Sequence, residues 1–407
     1  MNCEYKPYWQ MDYLGLARWI VNICRKIKIC LATSVQQACI PPILDRKDVI
    51  ALSGTGTGKT LTFLLPTLHL IEMDKIGFKV FILVPTRELG LQIYDSFNQL
   101  GKIKKISSFF LTRYKLFNKY TTTISSIFRK ERTIITTPEY LKKILGRQRN
   151  RIKKKISMFI IDESDLIFEI RTLSFIEKIF SKFKIQQTLL FAATMTKNLK
   201  ILKKLSYCKN LFYFQEKQNQ FLVFSKMKQE YLYCSHDSKI QYLKAIIKSR
   251  SKFFYTKNHT FKNTIIFVSS KKLCEKLFND LKITFVRIGR LHGNMDLITR
   301  ILTMQTFVSG KINILICTDL GNRGIDCPFV DLVINFNFPK NISTYIHRSG
   351  RSGRFNRNGC CLSLIGQAEI PFLHFLENKI GMKINKSEII QDLDILKSLI
   401  QHRKMLN

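Results

Sequence analysis

The sequence predicts two tandem α/β domains, each built around a doubly wound parallel β-sheet. The first observation is a series of short, continuously apolar runs such as residues 80–84, which are typical of strands buried on both faces of a sheet. The second is that stretches with helical spacing separate these runs, the alternation expected of βαβ units. The third is the length of 407 residues, which provides cores for two or three domains.

The elements of the first domain, predicted over residues 1–214, follow from periodicity. Apolar residues at helical spacing predict an amphipathic helix over 14–27 and a second helix over 35–44, which the Pro41-Pro42 pair interrupts. A further helix is expected over 61–71. The predicted strands are 49–52, 80–84, 133–136, 158–161 and 188–191.

The second domain, predicted over residues 225–407, follows a polar linker at 215–224. A basic and aromatic stretch at 249–263 has no clear period and is interpreted as a surface insertion. Helical spacing near the end of the chain predicts a C-terminal helical extension that includes 372–383. The predicted strands are 264–268, 284–286, 312–317, 331–335 and 360–364.

The composition narrows the class of partner. The formal net charge of +38 implies a polyanion, with nucleic acid as the default; the alternative is compositional drift, because Lys, Ile, Phe and Asn are as abundant as in proteins from AT-rich genomes. The 11 cysteines include no C-x-x-C pair, which argues against zinc and fits a reducing compartment. We expect no signal peptide and no membrane span, since no apolar run approaches about 18 residues.

A glycine-rich loop after strand 49–52 has the composition of a phosphate-binding loop. Backbone N–H groups of such a loop, and of the helix that follows it, point at the anion. Lys59 would reach the β- and γ-phosphates, and Thr60 would offer its hydroxyl to Mg²⁺. The strict pattern asks for glycine at position 53, so a plain turn is the alternative. The loop consists of Ser53, Gly54, Thr55, Gly56, Thr57, Gly58, Lys59 and Thr60.

An acidic pair follows the apolar run at 158–161. Asp162 is placed as a Mg²⁺-binding aspartate, because Mg²⁺ keeps most of its waters and takes one or two carboxylates. Glu163 is placed as the general base for an attacking water. The alternative is that both are helix-start charges favoured by the helix dipole, which the upstream loop argues against.

Two further patterns carry alternatives. Gln36 lies three residues after Thr33, the spacing of a helix capping box. Arg348, Arg351 and Arg354 stand at three-residue spacing among glycines and predict a guanidinium cluster on a flexible loop, suited to phosphate and to arginine fingers supplied across a cleft. The alternatives for the cluster are a solvated basic loop and a simple nucleic-acid contact.

Together these motifs resemble the DEAD-box ATP-dependent RNA helicases, from about residue 8 to about residue 367. The resemblance implies two RecA-like domains, ATP and Mg²⁺ as cofactors, and RNA held through its backbone. The Asp-Glu-Ser-Asp box differs from the family's Asp-Glu-Ala-Asp at one small residue. The ordered set is Gln36, 53–60, 85–89, 137–138, 162–165, 192–194, 318–326 and 347–354.

The resemblance also implies roles in the ATP site and in its coupling to RNA. Thr33 and Gln36 would read adenine, as an alternative to the capping box. The remaining ATP contacts would be Gly324, Asp326 at the ribose, and Arg351 and Arg354 at the γ-phosphate. The coupling residues would be Ala192, Thr194 and His347, which links to the Asp-Glu box. The implied RNA contacts are Pro85, Thr86, Arg87, Thr137, Pro138, Arg300, Thr318, Asp319 and Arg323.

Several positions depart from the family pattern. Ala192 replaces a serine that ties the box to the closed state, which predicts looser coupling of hydrolysis to strand separation. Tyr140 stands where an arginine usually contacts RNA, and Leu297 replaces a glutamine. Small-residue changes also occur at Ser34, usually proline, and Ser53, usually alanine. The adenine-stacking aromatic aligns with Met11, with Tyr8, Trp9 or Tyr13 as substitutes.

These features predict an ATP-dependent RNA helicase in ribosomal RNA processing, because the helical segment 372–383 resembles the subgroup acting in small-ribosomal-subunit biogenesis. Translation initiation is the alternative process. An ATP-gated RNA clamp and a DNA translocase are alternative activities. The expected location is the nucleus or nucleolus, or else the cytoplasm. We expect a monomer, with pre-ribosomal proteins as further partners.

Overall fold

A computed structural model of the protein describes residues 10–54, 56–74, 77–111, 131–147, 154–169, 173–193, 195, 210–216, 227–253, 263–283, 287–319, 330–352 and 359–387. The chain forms two compact units, Met1–Lys217 and Gln218–Asn407. The predicted first domain ends at residue 214, whereas the last strand of the first unit continues to Gln215. Among the helices described, none combines the length and the apolar character that crossing a membrane requires.

The first unit is built on parallel strands. Its described strands are β1 (Asp48–Leu52), β2 (Val80–Leu83), β3 (Ser108–Phe110), β4 (Thr133–Thr136), β5 (Lys154–Ile156), β6 (Met158–Ile161), β7 (Phe183–Ile185), β8 (Thr188–Ala192) and β9 (Leu211–Gln215). Seven of these form one sheet in the order β3-β4-β2-β6-β8-β1-β9, and β5 pairs with β7. The carboxyl ends of β1, β6 and β8 are therefore neighbours at one edge of the sheet, where ligands of such sheets bind.

Helices cover both faces of this sheet. They are α1 (Arg18–Lys26), α2 (Ser34–Leu44), α3 (Lys59–Met73), α4 (Arg87–Gly101), α5 (Pro138–Arg147), α6 (Ser164–Glu169) and α7 (Leu173–Lys182). Successive strand residues point to opposite faces. Val49 and Ala51 accordingly join a core cluster with α2, α3 and α4, while Ile50 and Leu52 join a second cluster with α5, α6 and α7. The doubly wound parallel fold predicted for this domain is confirmed.

The second unit repeats this architecture. Its described strands are β10 (Met227–Tyr233), β11 (Thr264–Val268), β12 (Ile288–Leu291), β13 (Ile314–Thr318), β14 (Leu332–Asn335), β15 (Gly359–Ile365) and β16 (Asn385–Lys386). They form a parallel sheet in the order β12-β13-β11-β14-β15-β10-β16. Ile266 and Ile265 again point to separate core clusters on the two faces. The described helices are α8 (Lys239–Phe253), α9 (Lys271–Lys282), α10 (Leu297–Val308), α11 (Ile342–Ser349) and α12 (Ile370–Ile380).

Two local predictions differ from the structure, and a third falls on residues that it does not describe. The predicted interruption at Pro41-Pro42 is wrong: α2 continues to Leu44, and Asp45 N–H closes its last turn on the Pro41 carbonyl at 3.0 Å. The predicted insertion at 249–263 begins inside α8, and residues 254–262 lie outside the described residues. The predicted strand at 284–286 also lies outside them, and the strand described nearby is β12.

Candidate functional site

The glycine-rich loop joins the end of β1 to the start of α3, as predicted. Gly56 and Gly58 have φ angles of 78° and 90°, in the left-handed region that favours glycine. A side chain at Gly58 would also place its Cβ 2.5 Å from Nε2 of Gln36. Thr57 Oγ1 donates to the Gly54 carbonyl at 2.9 Å, while Thr55 lies outside the described residues. The alternative of a plain turn does not require this close packing against α2.

Lys59 and Thr60 form the first turn of α3. Lys59 Nζ donates to the Ser53 carbonyl at 2.8 Å, so its ammonium already lies over the loop. Both residues are half-buried. A phosphate held by the loop would compete with the Ser53 carbonyl for this ammonium, and a charged acceptor is the stronger one.

Gln36 connects the start of α2 to the end of the loop. Its Oε1 accepts the Thr33 N–H at 2.9 Å, which is the glutamine half of a capping box. Its Nε2 donates to the Gly58 carbonyl at 3.2 Å. Thr33 Oγ1 is buried and has no hydrogen-bond partner within the described residues, so it is a polar atom available to a ligand. Capping is thus observed for Gln36, and adenine reading by this pair stays a prediction.

The acidic pair lies at the end of β6 and is buried or half-buried. Burial, followed by the neighbouring Glu163 carboxylate, raises the pKa of Asp162 to about 7. Glu163 has a left-handed φ of 47°, and its N–H donates to Asp162 Oδ1 at 2.9 Å. Glu163 Oε2 is buried with no hydrogen-bond partner among the described residues. Buried carboxylate oxygens such as these suit a hydrated Mg²⁺ ion. The positive charge of the ion would lower the pKa of Asp162 and so favour its ionised form.

A hydroxyl of the acidic box contacts the strand that carries Ala192. Ser164 is fully buried, and its Oγ donates to the Phe191 carbonyl at 3.0 Å. Ala192 is buried beside it, and its carbonyl accepts the Ser53 N–H at 3.0 Å. Position 192 thus lacks a hydroxyl, but the Ser164 hydroxyl of the acidic box binds the carbonyl of the preceding strand residue, Phe191. Thr194 lies outside the described residues.

The predicted RNA contacts of the first unit lie at two helix starts. Thr86 caps α4 by accepting the Leu89 N–H at 3.3 Å, and half-buried Pro85 precedes it. The Arg87 guanidinium lies over the ring of Tyr140, 4.9 Å from its centroid. Pro138 begins α5 directly after buried Thr137. Tyr140 stands where the family usually has an arginine, and its ring instead makes a cation–π contact with Arg87.

In the second unit, Arg348 and Asp319 form an ion pair. Arg348 Nε and Nη2 donate to Asp319 Oδ1 and Oδ2 at 2.5 and 2.9 Å. Arg348 Nη1 also donates to Asn335 Oδ1 and the Asn337 carbonyl. The prediction that Arg348 belongs to a cluster on a flexible loop is wrong, because it is buried in α11 and its donors serve protein acceptors. Asp319, predicted as an RNA contact, is likewise held by this pair.

The other predicted residues of the second unit are distributed as follows. Thr318 ends β13 and is buried, and Arg300 is buried in α10. His347 is buried in α11, and Arg351 is buried just after it. Residues outside the described part of the chain are Arg323, Gly324, Asp326 and Arg354.

A second-unit cavity and a first-unit glutamate were not predicted. The cavity has a volume of about 670 Å³ and is lined by Lys271, Arg290 and His292 among others. The glutamate is Glu216, whose carboxylate accepts hydrogen bonds from Ser34 and Ser53. No sequence motif includes Glu216; its position after β9, a half-buried edge strand, could only have been inferred from the sheet order.

Of the adenine-stacking candidates, Met11 is fully buried and Tyr13 is exposed, whereas Tyr8 and Trp9 lie outside the described residues.

Comparisons with known proteins agree with this geometry. The family model of DEAD/DEAH box helicases matches residues 33–202, and that of the helicase conserved C-terminal domain matches residues 238–356. "DEAD-box ATP-dependent RNA helicase 36" of Arabidopsis thaliana is 32% identical over 94% of this chain and 77% of its own length. "ATP-dependent RNA helicase DBP8" of Eremothecium gossypii is 31% identical over 97% of this chain and 89% of its own.

A solved structure shows the same relationship. A variant of S. cerevisiae Dbp5, bound to RNA and ADP BeF3, has a TM-score of 0.80 and 25% sequence identity, and the match covers 97% of this chain and 99% of that one. Two RecA-like domains and a phosphate loop define the class of nucleic-acid-dependent ATPases. Within it, this chain belongs to the DEAD-box ATP-dependent RNA helicases. It is an enzyme that uses ATP to unwind or remodel RNA duplexes.

Proposed function

We propose that this helicase remodels RNA during ribosomal RNA processing, in the nucleolus. The supporting observation is that the match to DBP8 covers 97% of the chain and so extends beyond the helicase motifs. It reaches α12, in the segment that resembles the small-ribosomal-subunit subgroup. Leu373 and Leu376 of α12 pack with Phe338 and Tyr345 in one core cluster. Helix α12 is thus packed into the core of the second unit, and we expect pre-ribosomal proteins to meet a rigid surface there.

Crosslinking of bound RNA in cells, followed by sequencing, tests this proposal. We expect enrichment of precursor ribosomal RNA and a nucleolar signal from the tagged full-length protein. An Arg87→Ala variant serves as the control for specific capture, because it removes a proposed backbone contact without touching the ATP site. Enrichment of mRNA leaders with a cytoplasmic signal would instead support translation initiation.

We further propose that Mg²⁺ is the metal cofactor, held by Thr60 and Asp162 largely through water. Mg²⁺ held by these residues would supply positive charge to offset the charge of the phosphates. Lys59 would transfer its hydrogen bond from the Ser53 carbonyl to a phosphate oxygen. Glu163 would orient a water through its unpaired Oε2 and take its proton. Titrating ATPase activity of the metal-free enzyme with Mg²⁺ tests this, with Asp162→Asn expected to raise the Mg²⁺ concentration needed.

RNA would be gripped through its backbone, with low sequence preference. Arg87 is the first residue of α4, after the cap Thr86, and its guanidinium lies over the ring of Tyr140 in the first turn of α5, which begins at Pro138. Each lost phosphate contact lowers the slope of log affinity against log salt by about 0.7 for a single strand. Arg87→Ala should show that change equally on RNAs of unrelated sequence. A sequence-dependent loss would contradict backbone recognition.

A further inference from the structure

One acidic side chain joins two parts of the nucleotide site that are far apart in sequence. Glu216 Oε1 accepts the hydroxyl of Ser34 at 2.5 Å, and its Oε2 accepts the hydroxyl of Ser53 at 2.7 Å. A carboxylate has no proton to give when ionised, so both serines are donors. These lengths are typical of charge-assisted O–H···O⁻ bonds, which are stronger than neutral ones.

The backbone fixes Glu216 in this position. Its N–H donates to the Leu52 carbonyl at 2.9 Å, which extends the parallel pairing of β9 with β1 by one residue. Leu52 is the residue directly before Ser53, so the carboxylate lies beside the first residue of the phosphate loop. Ser53 is 2% exposed, so water has little access to its hydroxyl, and the other acceptor in reach is Thr57 Oγ1 of the same loop at 2.5 Å.

Both serines lead on to groups that would contact the nucleotide. The Ser53 carbonyl accepts Lys59 Nζ at 2.8 Å, so the position of Ser53 sets where the ammonium rests. Ser34 follows Thr33, whose N–H is bound by Gln36, and Gln36 in turn donates to the Gly58 carbonyl at the far end of the loop. Glu216 therefore belongs to a hydrogen-bond network that links the start of α2 to both ends of the phosphate loop.

We propose that Glu216 is a positioning residue for nucleotide binding, which holds the start of α2 and the phosphate loop in a fixed relation through Ser34 and Ser53. The inference rests on the assignment of residues 53–60 as the phosphate loop and is independent of which RNA is bound. The negative charge of Glu216 would repel the phosphates, so we expect Glu216 to favour nucleotide binding only by fixing the geometry of the site. Order in the free site reduces the cost of immobilising the loop when nucleotide binds.

Calorimetric binding of ADP to the full-length protein without RNA tests this role. We expect Glu216→Ala to weaken ADP binding about tenfold, the scale of losing one charge-assisted hydrogen bond. Glu216→Gln keeps an acceptor for one serine and a donor toward the other, and should restore about half of that loss on a logarithmic scale. Ser34→Ala should weaken binding in the native background and add nothing in the Glu216→Ala background. Ser53→Ala also removes the contact with Thr57 Oγ1, so a smaller effect should persist in that background. Glu177→Ala, at an exposed position of α7, is the matched control.

Three results would overturn the proposal. Unchanged ADP affinity with a lower melting temperature in Glu216→Ala would show a purely structural contact. Equal tightening of binding in Glu216→Ala and Glu216→Gln would show that only the charge matters. An undiminished Ser34→Ala effect in the Glu216→Ala background would show that Ser34 acts independently of Glu216. Capture of an RNA other than precursor ribosomal RNA would leave all these affinities unaltered, so the two proposals fail separately.

Discussion

The contact between Ser164 and β8 makes a quantitative prediction about how ATP hydrolysis is coupled to strand separation. Phe191 and Ala192 connect two functional segments: the Phe191 carbonyl accepts Ser164 Oγ from the acidic box, and the Ala192 carbonyl accepts the Ser53 N–H from the phosphate loop. Ser164→Ala cuts the first connection and leaves the second. A hydrogen bond of this kind contributes about 0.5–1.5 kcal/mol. The middle of this range, about 1 kcal/mol, corresponds to a roughly fivefold change in the equilibrium between coupled and uncoupled arrangements.

The assay measures base pairs separated per ATP hydrolysed, on a short RNA duplex under multiple turnover. We expect Ser164→Ala to retain ATP binding while the yield of separated strands per ATP falls about fivefold, from the same energy. The reciprocal exchange, Ser164→Ala with Ala192→Ser, puts one hydroxyl back at this contact and should recover most of the yield. Ala192→Ser alone adds a second hydroxyl and should raise the yield above that of the native enzyme.

Two outcomes would refute the reasoning. An unchanged yield in all three variants would show that neither hydroxyl couples hydrolysis to unwinding. A parallel fall in ATPase rate and strand yield in Ser164→Ala, without rescue by Ala192→Ser, would show that the hydroxyl only maintains the geometry of Asp162 and Glu163. Stable retention of RNA with little strand release by the native enzyme would instead favour an ATP-gated clamp.

Other contacts make further predictions. Tyr140→Ala should weaken RNA binding several-fold in a filter-binding assay, because it removes the aromatic ring beneath Arg87. Tyr140→Leu keeps the apolar bulk but also lacks the ring, so it should give a similar loss. Asp319→Ala should lower the free energy of unfolding in urea by about 3 kcal/mol, since it leaves Arg348 buried without its counter-charge. Burial lowers the pKa of His69, whose Nδ1 accepts the Ala17 N–H, so the stability present above pH 6.5 should decline as the pH falls below 6.5, and less steeply in His69→Gln.

The sequence predicted the parts of the fold that local chemistry determines. Central strands such as β2 and β6 are buried on both faces and therefore appear as unbroken apolar runs. β9, at the edge of its sheet, has no fully buried residue, and β10, which pairs with the two-residue strand β16 on one side, mixes buried and exposed residues. Neither strand was predicted. The phosphate loop and acidic pair were identified because each lies directly after a central strand, where the sheet itself brings them together.

What the sequence did not predict depends on tertiary partners. The spacing of the arginines does not indicate that Arg348 lies in a helix and faces Asp319 and Asn335, because only the fold brings these side chains together. Ser164 looked like a neutral replacement in the acidic box. Its importance appears only when β6 and β8 are placed side by side, with the Phe191 carbonyl in reach.

These results change how the departures at serine and alanine positions are understood. Considered one by one, Ser34 and Ser53 are small polar substitutions, Ser164 is conservative, and Ala192 is a loss. In the structure, the three serine hydroxyls donate to acceptors at strand ends: Glu216 after β9, and Phe191 in β8. Because β8 and β9 flank β1, the acceptors of all three bonds lie in or directly after the two neighbours of the strand that carries the phosphate loop. The ATP site is thus held in place from both neighbouring strands, and weakening either side should loosen a different step: nucleotide binding through Glu216, and coupling to RNA through Ser164.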